Sequence, residues 1–247
     1  MFSYNPNIYI ANFKQQPIDD AIKHAYEEFP RESCGAIIDG SYVKFKNMSD
    51  NPLEAFEIQD EDFFLAYMNG SVDCIVHSHN DFNQASLVDQ VQQRELDIPS
   101  LIINLRNRSL MDCIVFGSNH DANLIGRPFF YGAFDCISMV DDYIFDIFNV
   151  HIPHPPHEWA FWMKNKSFFE PAMDETIPFE EVPLTEIKKN DILLYNIDGT
   201  KYINHIAVMM SDTYEVYHHM FGTTSGSYPI TFVRKYLRTV MRFNGEL

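Results

Sequence analysis

Two short stretches of this chain carry residue types that can do chemistry. In the first, His77-Ser78-His79 follows the apolar run Val72 to Val76, and Ser86-x-x-Asp89 comes shortly after. An extended chain turns alternate side chains to one side, so both imidazoles can converge on one point. Two imidazoles and a carboxylate fill three positions of a tetrahedral zinc ion and leave the fourth for water, as catalytic zinc requires. In the second, Tyr131-Gly-Ala-Phe-Asp135-Cys136 runs into a helical pattern. That places the Cys136 thiol at a helix N-terminus, where the partial positive charge stabilises a thiolate. Asn204-His205 begins an alternating strand, and His218-His219 follow on the next one. A cysteine nucleophile needs one imidazole as base and a third group to orient it.

Each fragment alone has a plainer reading. Two strand histidines can simply face solvent, Ser86-x-x-Asp89 is an ordinary helix start, and a lone cysteine is most often a buried apolar residue. The spacing of His77, His79 and Asp89 together favours a metal. The spacing of Cys136 and His205 alone does not decide the thiol site. Three further histidines, His151, His154 and His157, lie in HIPHPPHEW. Prolines make that stretch a loop without a supporting acid or cysteine, and these rings are expected to face solvent.

The elements that must position these residues follow from the apolar pattern. A first helix is predicted over Pro17 to Phe29, with strands at Cys34 to Ile38 and Tyr42 to Phe45 joined by an Asp39-Gly40 turn. Helices follow at Glu61 to Met68 and Ser86 to Leu96, with strands at Val72 to Val76, Ser100 to Leu105 and Met111 to Phe116. This alternation predicts an α/β first half. The polar run GSNHDANLIGR, 117–127, marks a boundary. Beyond it come a helix over Cys136 to Phe148 and strands at Ile192 to Tyr195, Tyr202 to Met210 and Tyr214 to His219. The second half therefore reads as α+β. The expected division is 1–118 for the first domain, 119–127 for a linker and 128–247 for the second.

At 247 residues, 46% of them hydrophobic, each half can build its own core. A formal net charge of -17 with only 18 Lys and Arg argues against a nucleic-acid grip. No run approaches the ~18 apolar residues of a membrane span, and the N-terminus lacks the pattern of a signal peptide. The four cysteines form no C-x-x-C pair, which is expected of reduced thiols in a soluble intracellular chain.

The first constellation resembles the JAMM (MPN+) metalloproteases, whose pattern is an upstream Glu, then His-x-His-Pro, then Ser-x-x-Asp. Glu32-Ser33-Cys34-Gly35 stands where that family carries its glutamate, and Asn80 replaces the proline. The resemblance implies a cytidine-deaminase-like α/β domain over about residues 15 to 117. It also implies one Zn2+ on His77, His79 and Asp89, Glu32 as general base and Ser86 as a donor to the oxyanion or bound water.

The second resembles the NlpC/P60 cysteine peptidases of the cell wall, which implies a papain-like α+β domain. Cys136 is then the nucleophile, His205 the base and His218 the orienting residue, with His219 the alternative. Phe129 stands where many members carry a tyrosine, and Tyr131 is the candidate substitute. The order of the two halves is similar to that of the tail-tip assembly family of lambda-like tailed phages. That resemblance implies hydrolysis of peptide cross-links in host peptidoglycan and assembly with other phage tail-tip proteins. It places the protein in the host cytoplasm during assembly or at the virion tail tip. Two other readings remain open: an assembly factor whose domains serve as binding modules, and a zinc protease that matures another tail protein.

Overall fold

The computed structural model describes residues 7–10, 12–81, 84–117, 124–152, 155–164, 178–197, 202–211 and 214–245. The chain divides into two units, Met1–Ala122 and Asn123–Leu247. His154, residues 119–123 of the expected linker and residues 212–213 lie outside the described residues.

In the first unit the elements run β1 (Asn7–Tyr9), α1 (Gln15–Glu28), β2 (Cys34–Ile38), β3 (Ser41–Phe45), α2 (Glu61–Met68), β4 (Val72–Asn80), α3 (Leu87–Leu96), β5 (Ser100–Arg106) and β6 (Ser109–Phe116). They build a six-stranded mixed sheet in the order β1-β6-β5-β4-β2-β3. β4 pairs with β5 in parallel and with β2 antiparallel, so the strand bearing both histidines lies inside the sheet. Asp39 and Gly40 both have positive φ, 49° and 74°, as a two-residue hairpin turn requires. Side chains alternate between two buried faces. One packs Ile18, Ala21 and Ala25 of α1 against Ile37, Cys74, Val76, Leu101 and Ile103. The other sets Cys34, Ala36 and Ile75 against Phe63 of α2 and the end of α3.

One expectation changes here. The strand predicted to end at Val76 runs on to Asn80, because its parallel pairing continues through His77↔Ile102 and His79↔Asn104. Both histidines therefore lie within the strand itself. A nonlocal partner strand lengthened the element.

The second unit contains α4 (Cys136–Phe148), α5 (Phe161–Lys164), β7 (Phe179–Val182), β8 (Ile192–Tyr195), β9 (His205–Met209), β10 (Glu215–His218), β11 (Gly226–Pro229) and β12 (Leu237–Phe243). Its sheet is antiparallel at every pairing, in the order β11-β10-β9-β8-β12-β7. α4 buries Ile137, Val140 and Ile144 against Leu194, Ile206 and Val208. The opposite sheet face is covered by Ile230 and Val233 over Leu193, Ala207 and Val216. All four cysteines are free thiols and buried.

Candidate functional site

In the first unit, the alternation of β4 turns His77 and His79 to the face that α3 covers. Asp89 lies in the first turn of α3, and a capping box fixes it. The Ser86 backbone N–H donates to Asp89 Oδ2 at 2.7 Å, and the Asp89 N–H donates to the Ser86 hydroxyl at 3.2 Å. The helix start and the ligand reading thus describe the same residues. Ser86 holds the carboxylate of Asp89 in place through the cap.

The donor atoms converge. His77 Nε2 and His79 Nε2 are 3.0 Å apart. Asp89 Oδ1 is 3.2 Å from His77 Nε2, and its Oδ2 is 3.3 Å from His79 Nε2. Metal–ligand bonds of 2.0–2.1 Å at the tetrahedral angle put neighbouring ligands about 3.3 Å apart. The three groups are all buried and can hold a metal ion. His77 Nδ1 is buried without a hydrogen-bond partner, and Phe56 stacks on the ring at 4.5 Å. Burial alone would raise the Asp89 carboxyl, but His77 and then His79 outweigh it and hold it below the usual carboxylate range.

Glu32 sits just ahead of β2, buried, with Oε1 4.0 Å from His79 Nε2. Burial is the main reason its carboxyl is pushed up to about 7; the Asp89 charge adds to this and His79 opposes it. Such a group can take and return a proton near neutral pH. Ser78, between the two histidines, points to the other face. Its hydroxyl accepts from Ser33 N–H at 2.8 Å and lies 3.1 Å from the Ser33 hydroxyl, anchoring the residue next to Glu32.

In the second unit, Cys136 is the first residue of α4 and His205 the first of β9. Both line one cleft of about 200 Å³ with Asp135, His157, Asn204 and His219. His205 Nε2 is 3.1 Å from His218 Nδ1, so Nδ1 is the His205 nitrogen that His218 does not engage. His205 and His218 share the strand parity of Ala207 and Val216, so they project to one face. His219 instead lines the cleft and meets Phe129 at 5.0 Å. The register that sequence left open thus joins His218, not His219, to His205.

Helix position and burial compete at Cys136. Burial pushes the thiol far up and the Asp135 carboxylate adds to that, while the amides of Ile206, Cys136 and Ile137 pull the other way without offsetting it. The expected lowering by the helix N-terminus is therefore outweighed. Burial also lowers His205 well below the ordinary imidazole value and His218 to about 4.

His157 is a correction. Expected in a solvent-facing loop, it is 3% exposed, with Nε2 2.6 Å from Asp135 Oδ2. The prolines do make the segment irregular, but its closing end packs beside Cys136. His151 does face solvent, bonded to Asp141 at 3.0 Å. Around the cleft mouth, Tyr131, Trp159 and Phe221 form an aromatic rim: Tyr131 meets Trp159 at 5.3 Å and Trp159 meets Phe221 at 5.0 Å. An acid before cysteine at a helix start was the sequence signal for Asp135. Nothing local pointed to His157.

No family model matches the chain. It is 27% identical over 225 residues to the tail tip assembly protein K of Escherichia phage N15, covering 87% of this chain and 89% of that protein. It is 26% identical over 161 residues to the tail tip assembly protein K of Escherichia phage lambda, covering 65% of this chain and 75% of that one. Among solved structures, the NlpC/p60 domain of the peptidoglycan hydrolase SagA aligns with 49% of this chain and 90% of its own, at 13% identity and a TM-score of 0.34.

Proposed function

We propose that this chain is a phage tail-tip assembly protein with two peptidase sites, of which the cysteine site hydrolyses peptide cross-links of host peptidoglycan. The similarity that spans 87% of this chain and 89% of the N15 tail tip assembly protein carries the assembly half of this reading. The shared cleft of Cys136 and His205 supports the peptidase half. Partners of the same assembly are other phage tail proteins.

At the cysteine site the resting groups are a neutral thiol and a neutral imidazole. As sulfur attacks the scissile carbonyl carbon, the thiol proton moves to His205 Nδ1 and the S–C bond forms. His205 then gives that proton to the departing amine as the C–N bond breaks, and water hydrolyses the thioester. His218, whose Nδ1 accepts from His205 Nε2–H, holds the ring in the tautomer whose Nδ1 takes the proton.

At the JAMM-like site, His77, His79 and Asp89 are the residues that would hold zinc. When bound, zinc supplies an open Lewis-acid position and a water of lowered pKa. Glu32 holds and returns the proton, and Ser86 orients Asp89 through the helix cap. Whether this second site acts on the same cross-links or matures another tail protein is separated by one experiment. The pure chain is incubated with muropeptides, with and without a chelator, then with a thiol reagent. Cleavage abolished by the thiol reagent and spared by the chelator is the expected result. No cleavage under any condition would sink the wall-peptidase reading in favour of binding modules.

A further inference from the structure

A buried carboxylate–imidazole pair stands beside Cys136, and the chemistry above does not use it. Asp135 caps α4. Its Oδ1 accepts from the Ile137 N–H at 3.0 Å and the Ser138 N–H at 3.1 Å. Its Oδ2 accepts from the Gly132 N–H at 3.0 Å and lies 2.6 Å from His157 Nε2. Four donors occupy the four lone-pair positions of a carboxylate. Asp135 therefore has no position left for a substrate group. The other nitrogen of His157, Nδ1, is 3.2 Å from the Pro155 carbonyl oxygen. Both ring nitrogens thus face acceptors. A neutral imidazole has one N–H and would set a lone pair against one of those oxygens; only the imidazolium donates to both. With side-chain exposures of 2% and 1%, the pair is shielded from water.

We propose that His157 is a positioning residue of the thiol site: held as an imidazolium, it cancels the charge of the capping carboxylate one residue before Cys136 and pins the 155–158 segment that walls the cleft. This rests on the reading of Cys136 as nucleophile. The helix needs an acceptor at Asp135, yet a bare negative charge there opposes thiolate formation, while it raises His205 and His219. A cationic partner lets the carboxylate cap without that penalty. The other groups at hand are Arg127, already paired with Asp142, and Phe161, whose ring meets His157 at 5.3 Å. His218 stands behind His205.

The test is the pH profile of Cys136 alkylation by iodoacetamide in the full chain, followed by peptide mass mapping so that the other three thiols are scored separately. His157→Gln should move the midpoint up by at least about half a unit, or about threefold slower alkylation at fixed pH below it. In an Asp135→Asn background the same substitution should move nothing. A folded His157→Gln protein with an unmoved midpoint overturns the proposal, as does an equal shift in the Asp135→Asn background. Should His157→Gln fail to fold, two measurements remain. Asp135→Asn alone should leave the midpoint within a few tenths of a unit, and a fall of a full unit overturns the proposal. Nitrogen NMR of the wild-type ring should show both His157 nitrogens protonated at pH 7, and a neutral ring overturns it. Alkylation needs no substrate, so absent muropeptide cleavage with a normal profile counts against the wall reading alone. A wild-type thiol unreactive at every pH overturns both.

Discussion

At Cys136 and His205, burial favours the neutral form of each group, so under the proposed mechanism the ion pair is made during attack rather than beforehand. That puts weight on whatever orients the His205 ring, and the group bonded to it is His218, 3.1 Å away. His218→Ala should lower kcat on muropeptides at least about a hundredfold, the lower range of general acid–base effects. His219→Ala should cost less than about tenfold by the same reasoning, because His219 lines the cleft without a hydrogen bond to His205. The reverse order would move the orienting role to His219. In the other site, Glu32 lies 4.0 Å from His79 Nε2, and its proposed role is to move a proton, not to bind the ion. Glu32→Gln should leave zinc affinity within a few-fold, read by titration with a chromophoric chelator. Zinc-dependent hydrolysis should fall about 10²–10⁴-fold. Loss of zinc in this variant would instead make Glu32 a ligand.

Strand β4 and helix α3 fix His77, His79 and Asp89 by ordinary secondary-structure devices. Ser78 in β4 faces away from the histidines and takes the Ser33 N–H. Ser78→Ala leaves that buried amide unpaired, and thermal melts should show a loss of about 1–3 kcal/mol. Ser86→Ala removes only a helix cap and should cost about 1 kcal/mol, with Ser86→Asn recovering most of it. If Ser86→Ala proves the more costly of the two, the Ser86 hydroxyl does more than cap α3. Elements were legible where local signals were complete: α4 and α2 occupy the ranges that apolar spacing predicts, Cys136–Phe148 and Glu61–Met68. They were not where a partner supplied the definition. β12, Leu237–Phe243, carries Arg238 and Arg242 among its apolar residues, yet it lies between β8 and β7. The second of these arginines has its guanidinium bonded to Asp191. His157 was missed for a like reason, since Asp135, 22 residues away, is what buries it.

Each unit of the molecule has its own core, and their ionisable groups should make their stabilities answer to different solutes. A ligand that binds only the folded form stabilises by mass action, about 2.7 kcal/mol at a hundred times its Kd. Zinc should therefore raise the unfolding transition of the first unit, and His77→Ala should abolish the shift. The second unit is the acid-sensitive one by virtue of His205, His218 and His219, all lowered by burial first. The folded values of His218 and His219 are about 4, against 6.5 for an ordinary imidazole. Between these values the unfolded chain binds protons that the folded chain does not, so stability rises with pH. Their contribution is complete above about 6.5 and lost as pH falls through about 4. Each can contribute up to about 3 kcal/mol at neutral pH. His24, also lowered by burial, adds a share of the same sign to the first unit. Calorimetry of the zinc-loaded chain from pH 7 to 4.5 should show the second unit's transition falling steadily, and His218→Gln should flatten that slope. A His218→Gln profile that tracks the wild type would show that the buried imidazole is not the group whose protonation unfolds the unit.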